Sequence, residues 1–87
     1  MKISDHQIIS LFCEENSGQV YLVRFSNGTE EELIDCCILG DPPNRECIAT
    51  VVRAGVGSAY SAGQSIAFDF DDVLDVRISK RGFENYR

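Results

Sequence analysis

The stretch Ser65 to Ser79, SIAFDFDDVLDVRIS, constrains the fold more than any other part of the chain. Its apolar residues Ile66, Phe68, Phe70, Leu74, Val76 and Ile78 keep one parity across a central Asp71-Asp72-Val73. Successive strand residues point to opposite faces, so this parity predicts two strands sharing one buried face around a tight turn, a core hairpin. The connection is too short for anything beyond a single 3₁₀ turn.

Upstream, Ser4-Asp5-His6-Gln7 fits a capping box. Ile8, Ile9, Leu11, Phe12 and Cys13 then fall on one side of a helical wheel, which predicts a helix from about Asp5 to Glu15, ended by Asn16-Ser17-Gly18. A strand over residues 7–14 is the rival reading. Gln19 to Phe25 is β-branched and aromatic with apolar groups on both faces, as in a central strand. Ser26-Asn27-Gly28 turns the chain. The next strand starts polar at Thr29 to Glu32 and becomes apolar from Leu33 to Leu39. Gly40-Asp41-Pro42-Pro43-Asn44 is a rigid turn, since proline cannot continue a ladder. Cys47 to Arg53 is another strand, and Ala54 to Gln64 is a loop of small residues. The expected architecture is mainly β within the α+β class: a short N-terminal helix and a five-stranded antiparallel small barrel, Sm-like or Src-homology-like. Closure would remove sheet edges that invite aggregation. Residues 1–79 form the barrel and 80–87 a basic tail.

A chain of 87 residues buries about 60–65% of the surface its unfolded form exposes, so the core is modest. With 44% hydrophobic and 25% charged residues it reads as an ordinary globular protein. No apolar run is long enough to span a bilayer. Asp5 and His6 interrupt the region where a secretory signal would be apolar, so the expected location is cytoplasmic, with Cys13, Cys36, Cys37 and Cys47 in a reducing compartment. The net charge of −6 is uneven: residues 1–76 carry 4 basic and 13 acidic side chains, residues 77–87 carry 4 basic and 1 acidic. An acidic body repels phosphate backbones, which argues against nucleic-acid binding except through the tail, where Arg77, Lys80, Arg81 and Arg87 interleave with Phe83 and Tyr86. Docking of the tail on the acidic body or on a second copy, or a disordered tail, is the favoured reading over nucleic-acid contact.

No catalytic set, metal site or cofactor site assembles from the residues. Cys36 and Cys37 are adjacent and point to opposite faces of a strand, so they cannot share one tetrahedral zinc. The cysteines read as small buried hydrophobes. A Cys/His pair would have to use His6 beside the terminus. Asp69, Asp71 and Asp75 share an outward face but lack EF-hand spacing, so a solvated acidic face is expected. Gly55, Gly57 and Gly63 do not form G-x-G-x-x-G. A plain surface loop is expected, and its functional rival is a lid or recognition loop with Tyr60 as the aromatic anchor.

Two resemblances remain. Ile66 to Leu74 resembles the first motif of haloacid-dehalogenase-like hydrolases, a strand ending in D-x-D, which implies Asp69 as nucleophile and Asp71 as acid-base beside Mg²⁺. Fourteen residues follow Val73, fewer than that family's α/β domain needs. The helix, Tyr21 to Gly28, Glu31 to Ile34, Ile48 to Val52 and Phe68 to Val76 together resemble the WYL-type small barrel. That resemblance implies ligand binding through the strand cations Arg24 and Arg53.

The leading expectation is a non-enzymatic small-barrel binding module of a bacterial or phage protein, contacting another protein through Glu30, Glu31, Glu32 and Tyr60. The alternative is a WYL-like regulatory domain sensing a nucleotide or single-stranded nucleic acid at Arg24 and Arg53, and the third reading is the Mg²⁺-dependent phosphatase. A homodimer is compatible with each.

Overall fold

The computed structural model describes residues 2–13, 18–39 and 45–79. Helix α1 (Asp5–Leu11) leads to strands β1 (Tyr21–Phe25), β2 (Glu30–Leu39), β3 (Glu46–Ala54) and β4 (Ser65–Asp69). A 3₁₀ turn (Phe70–Asp72) and β5 (Val73–Ile78) follow. The turn Gly40 to Asn44, the Glu14 to Ser17 end of the expected helix and the tail 80–87 lie outside the described residues.

α1 starts at the expected box: the Gln7 N–H donates to Ser4 Oγ at 3.2 Å, and the Ser4 N–H donates to Gln7 Oε1 at 3.1 Å. Such a cap stabilises a helix by about 1 kcal/mol. The helix, not the rival strand, forms, but it stops at Leu11. Phe12 turns into the core and packs edge-on against Tyr21 with ring centroids 5.3 Å apart. The Tyr21 hydroxyl donates to the Leu11 carbonyl, so β1 satisfies a helix-end acceptor that another turn of helix would otherwise have taken.

The strands form one sheet in the order β4-β3-β2-β1-β5, every neighbouring pair antiparallel. Mainly-β α+β is therefore the observed class. The sheet is open, with β4 and β5 as its two edges. The hairpin expected over Ser65 to Ser79 is corrected accordingly: β4 pairs with β3 and β5 with β1. The connecting 3₁₀ turn explains the difference. Phe70 N–H still bonds to Arg45 O at 2.9 Å, extending the β4 side of the ladder, and two residues later Asp72 O accepts Ser26 N–H at 2.8 Å on the β1 side. Three residues thus carry the chain from one edge to the other, which requires the sheet to curve strongly.

The turn also breaks the expected parity. Val73 and Val76 are buried, whereas Leu74 is half-buried and Ile78 is 58% exposed. A register shift between Arg24 and Phe25 skips Leu74, so inward positions on β5 are three apart instead of two. A second irregularity bends β2 between Ile34 and Cys37, where Asp35 takes φ +56°. Aspartate tolerates this left-handed conformation better than most residues.

The core contains Ile8, Phe12, Tyr21, Val23, Leu33, Val51, Phe68, Phe70 and Val73, all nearly inaccessible. Among the described residues, no helix is long and apolar enough to cross a membrane.

Arg45 joins three elements at the surface. Its guanidinium donates to both Asp5 oxygens at 2.9 Å and to both Asp71 oxygens at 2.9 and 3.1 Å, and lies 5.6 Å from the Phe70 ring centroid. Lys2 Nζ is 3.3 Å from Asp71 Oδ1. Hydrogen bonds from Arg45 first, then Lys2, hold the Asp71 carboxyl below its ordinary value. A depressed carboxyl contributes stability above its unfolded pKa and loses that contribution as pH falls through the folded one. Acid titration followed by circular dichroism should therefore show less low-pH stability loss in Arg45→Gln, whose neutral stability is already lower. An unchanged acid limb would remove Arg45 as the cause.

Candidate functional site

Cross-strand register builds a charged outer face. Leu22 stands opposite Arg77 on one side and Glu32 on the other, and Glu32 stands opposite Arg53. In the adjacent row Arg24 stands between Asp75 and Glu30. Arg24 Nη2 is 3.2 Å from Glu30 Oε1, and Arg77 Nε is 3.0 Å from Asp75 Oδ2. These are exposed pairs, each worth about 0–1 kcal/mol. A depression of about 240 Å³ lies on this face, lined by Leu22, Glu30, Glu32, Arg53, Ala54 and Gly55.

The two residue sets expected to serve different sites thus share one face: Glu30 and Glu32 interleave with Arg24 and Arg53. The ladder register that creates this arrangement is a tertiary fact with no signature in local sequence. One member is corrected. Glu31 is 0% exposed and contributes nothing to an acidic rim. Strand alternation turns it inward with Leu33, where Oε1 accepts the Gly55 N–H at 3.3 Å and Oε2 lies 3.1 Å from Thr29 Oγ1. Glu31 therefore pins the start of the β3–β4 loop beneath the depression. In the sequence Gly55 is only a loop glycine, yet a Cβ there would lie 2.0 Å from the Glu30 carbonyl oxygen.

Tyr60 sits in that loop, half-buried, its ring edge-on to Phe25 at 6.5 Å. It belongs to a separate cleft of about 250 Å³, together with Phe25, Asn27, Phe68 and Asp72. Two of its lining residues, Phe25 and Phe68, pack edge-on with ring centroids 5.1 Å apart.

The aspartates do different work from one another. Asp71 is engaged by Arg45 and Lys2, Asp75 by Arg77, and Asp72 Oδ2 accepts the Asp69 N–H at 3.0 Å. Among the described residues no three His, Cys, Asp or Glu side chains are grouped to hold a metal ion.

The cysteines are all thiols. The β2 bulge turns Cys36 toward the core and leaves Cys37 exposed, which the expectation of four buried small residues did not foresee. Burial, reinforced by neighbouring thiols, pushes Cys36 and Cys47 up to about 12. Raised thiols contribute stability below their ordinary value, and that contribution is lost as pH climbs from there toward about 12. Alkylation at mildly alkaline pH should mark Cys37 promptly and Cys36 and Cys47 only under denaturant, as read by mass spectrometry. Equal native labelling of all three would contradict the packing around the bulge.

Comparison with known proteins finds no family model, curated protein or solved structure that matches the chain.

Proposed function

We propose that the protein is a non-enzymatic binding module that contacts another protein through the outer face around Leu22, Glu30, Glu32 and Arg53. The observation that carries this reading is the alternation of three basic and three acidic side chains, Arg24, Arg53, Arg77, Glu30, Glu32 and Asp75, across four adjacent strands. A balanced face offers little attraction to a polyanion. Its fixed pattern of signs does favour one orientation of a complementary protein surface, with Leu22 as the apolar contact at the centre. Arg24 is already 3.2 Å from a carboxylate and Arg53 stands opposite one, so a nucleotide phosphate would have to compete with Glu30 and Glu32. Four thiols suit a reducing, cytoplasmic setting.

The test is co-purification from the native cells, comparing the wild type with the doubly substituted Glu30→Lys, Glu32→Lys protein. The expected result is a loss of captured partner of at least about tenfold, with the melting temperature nearly unchanged. Undiminished capture would move the contact elsewhere. A thermal shift with nucleotides that disappears in Arg24→Ala, Arg53→Ala would replace this reading with ligand sensing. Phosphate-ester hydrolysis abolished by Asp69→Asn would replace it with catalysis.

A further inference from the structure

The direction of the β4 ladder determines which backbone groups remain available at that edge. Gln64 O accepts Val51 N–H at 2.8 Å, and Phe70 N–H donates to Arg45 O at 2.9 Å. Even-numbered residues of this segment therefore aim their N–H and C=O groups at β3, and Ser65, Ala67 and Asp69 aim theirs outward. Asp69 N–H is taken by Asp72 Oδ2. Among the described residues, the amides of Ser65 and Ala67 have no hydrogen-bond partner. Natural edges are usually blunted by lysine, proline or a bulge. The β4 sequence SIAFD has neither residue, and its register with β3 runs without a shift. The opposite edge differs, because Ile3 N–H already covers Leu74 O on β5 at 2.8 Å.

Grooves flank the free edge on both sides. On the outer side an apolar groove of about 380 Å³ runs over Ile48, Thr50, Ser65 and Ala67, with Asp35 at its margin. On the inner side lies the Tyr60 cleft, which shares Ala67 and Phe68 with the edge and carries the Asp72 carboxylate at its rim. Added strands present alternate side chains to alternate faces. An inward side chain would meet aromatic rings and a carboxylate, the surroundings that suit a guanidinium or ammonium group. An outward one would meet Ile48 and Ala67, which suit an aliphatic group. Residues 1–76 carry 13 acidic and 4 basic side chains, so the surroundings also favour a basic segment.

We propose that the free edge of β4 is a strand-addition site for an extended segment of a partner protein in which aliphatic residues alternate with arginine or lysine. This inference rests on the protein-binding reading but uses none of the charged-face residues.

The probe is an acetylated seven-residue peptide alternating valine with arginine, titrated into the intact protein and followed by amide NMR shifts and hydrogen exchange. Protection is expected at the Ser65 and Ala67 amides. Replacing arginine by glutamate, or N-methylating the peptide's alternate amides, should each weaken binding by at least about tenfold, since one removes the charge complement and the other the ladder donors. Ala67→Pro should weaken it comparably without unfolding the protein, because the lost N–H faces away from β3. If that variant does unfold, the methylated peptide still decides the matter. Methylated peptide binding as tightly as its parent, or no peptide binding up to about 1 mM, would overturn the edge site. Peptide shifts centred on Leu22, Glu32 and Arg53 would overturn it while sparing the protein-binding reading. Concentration-dependent protection of Ser65 and Ala67 without peptide would make a second copy of the chain the occupant and overturn the partner proposed.

Discussion

Gly55→Ala is expected to lower the melting temperature by about 10 °C or more, because it costs about 2–6 kcal/mol in a protein of this size. The added Cβ would lie 2.0 Å from the Glu30 carbonyl oxygen and 3.1 and 3.3 Å from that residue's carbon and nitrogen. All three atoms are β2 backbone, so no side-chain rotation relieves the overlap and the strands must part. Overpacking of this kind costs about 1–3 kcal/mol. Parting also weakens the bond from Gly55 N–H to the buried Glu31 carboxylate, and a buried group left short of partners costs about 1–3 kcal/mol more. Total stabilities of small proteins are about 5–15 kcal/mol, so this is a large share. Gly57→Ala is the control: its φ of +81° disfavours alanine, but nothing lies within 4 Å of the added atom, and it should cost only about 1 kcal/mol. Melting curves of the two variants give the comparison. Equal, small shifts would mean that β2 and the residue after β3 do not approach so closely in solution.

The second large effect is expected for Phe70→Ala, a loss of about 3–5 kcal/mol in urea unfolding. Phe70 is 2% exposed although it lies in a three-residue turn between two edge strands. Its ring fills the core, its N–H bonds to Arg45 O, and the Arg45 guanidinium covers its outer side. Truncation leaves a cavity where the sheet curves most and loosens the geometry between β4 and β5. Phe70→Leu keeps much of that volume and should lose distinctly less. A loss below about 1 kcal/mol for the alanine variant would show that the turn is peripheral and the sheet's curvature is held elsewhere. Such a variant should also weaken the alternating peptide, since the β4 edge and Asp72 both depend on the turn.

Local chemistry is legible in the sequence where one short segment contains both partners. Ser4 and Gln7 are three apart and cap each other. Asn27 and Gly28 make their turn alone, Asn27 Oδ1 accepting both Thr29 N–H and Oγ1 while Gly28 takes φ +93°. The strand over Tyr21 to Phe25 and the 3₁₀ turn before Val73 follow from composition and chain length in the same way. It is hidden where the partner is distant. Glu31 looks like its neighbours Glu30 and Glu32 until Gly55, 24 residues away, supplies a donor on the buried side. Arg45 carries no motif, yet it gathers Asp5 and Asp71 from 40 and 26 residues away.

What the amino-acid order determined by itself was the set of elements: a capped helix, five β-prone segments, and a connection between the last two too short for more than one turn. Propensity, capping and turn chemistry are local, so a few adjacent residues suffice to express them. Only the tertiary structure decided that the last two strands would separate to opposite edges, that Arg24 and Arg53 would interleave with Glu30 and Glu32, and that Ser65 and Ala67 would keep their amides available. Each of these depends on ladder register, set by bulges at Asp35 and Leu74 and by the inward turn of Phe70. A shift of one residue in a strand exchanges its two faces without altering any local preference.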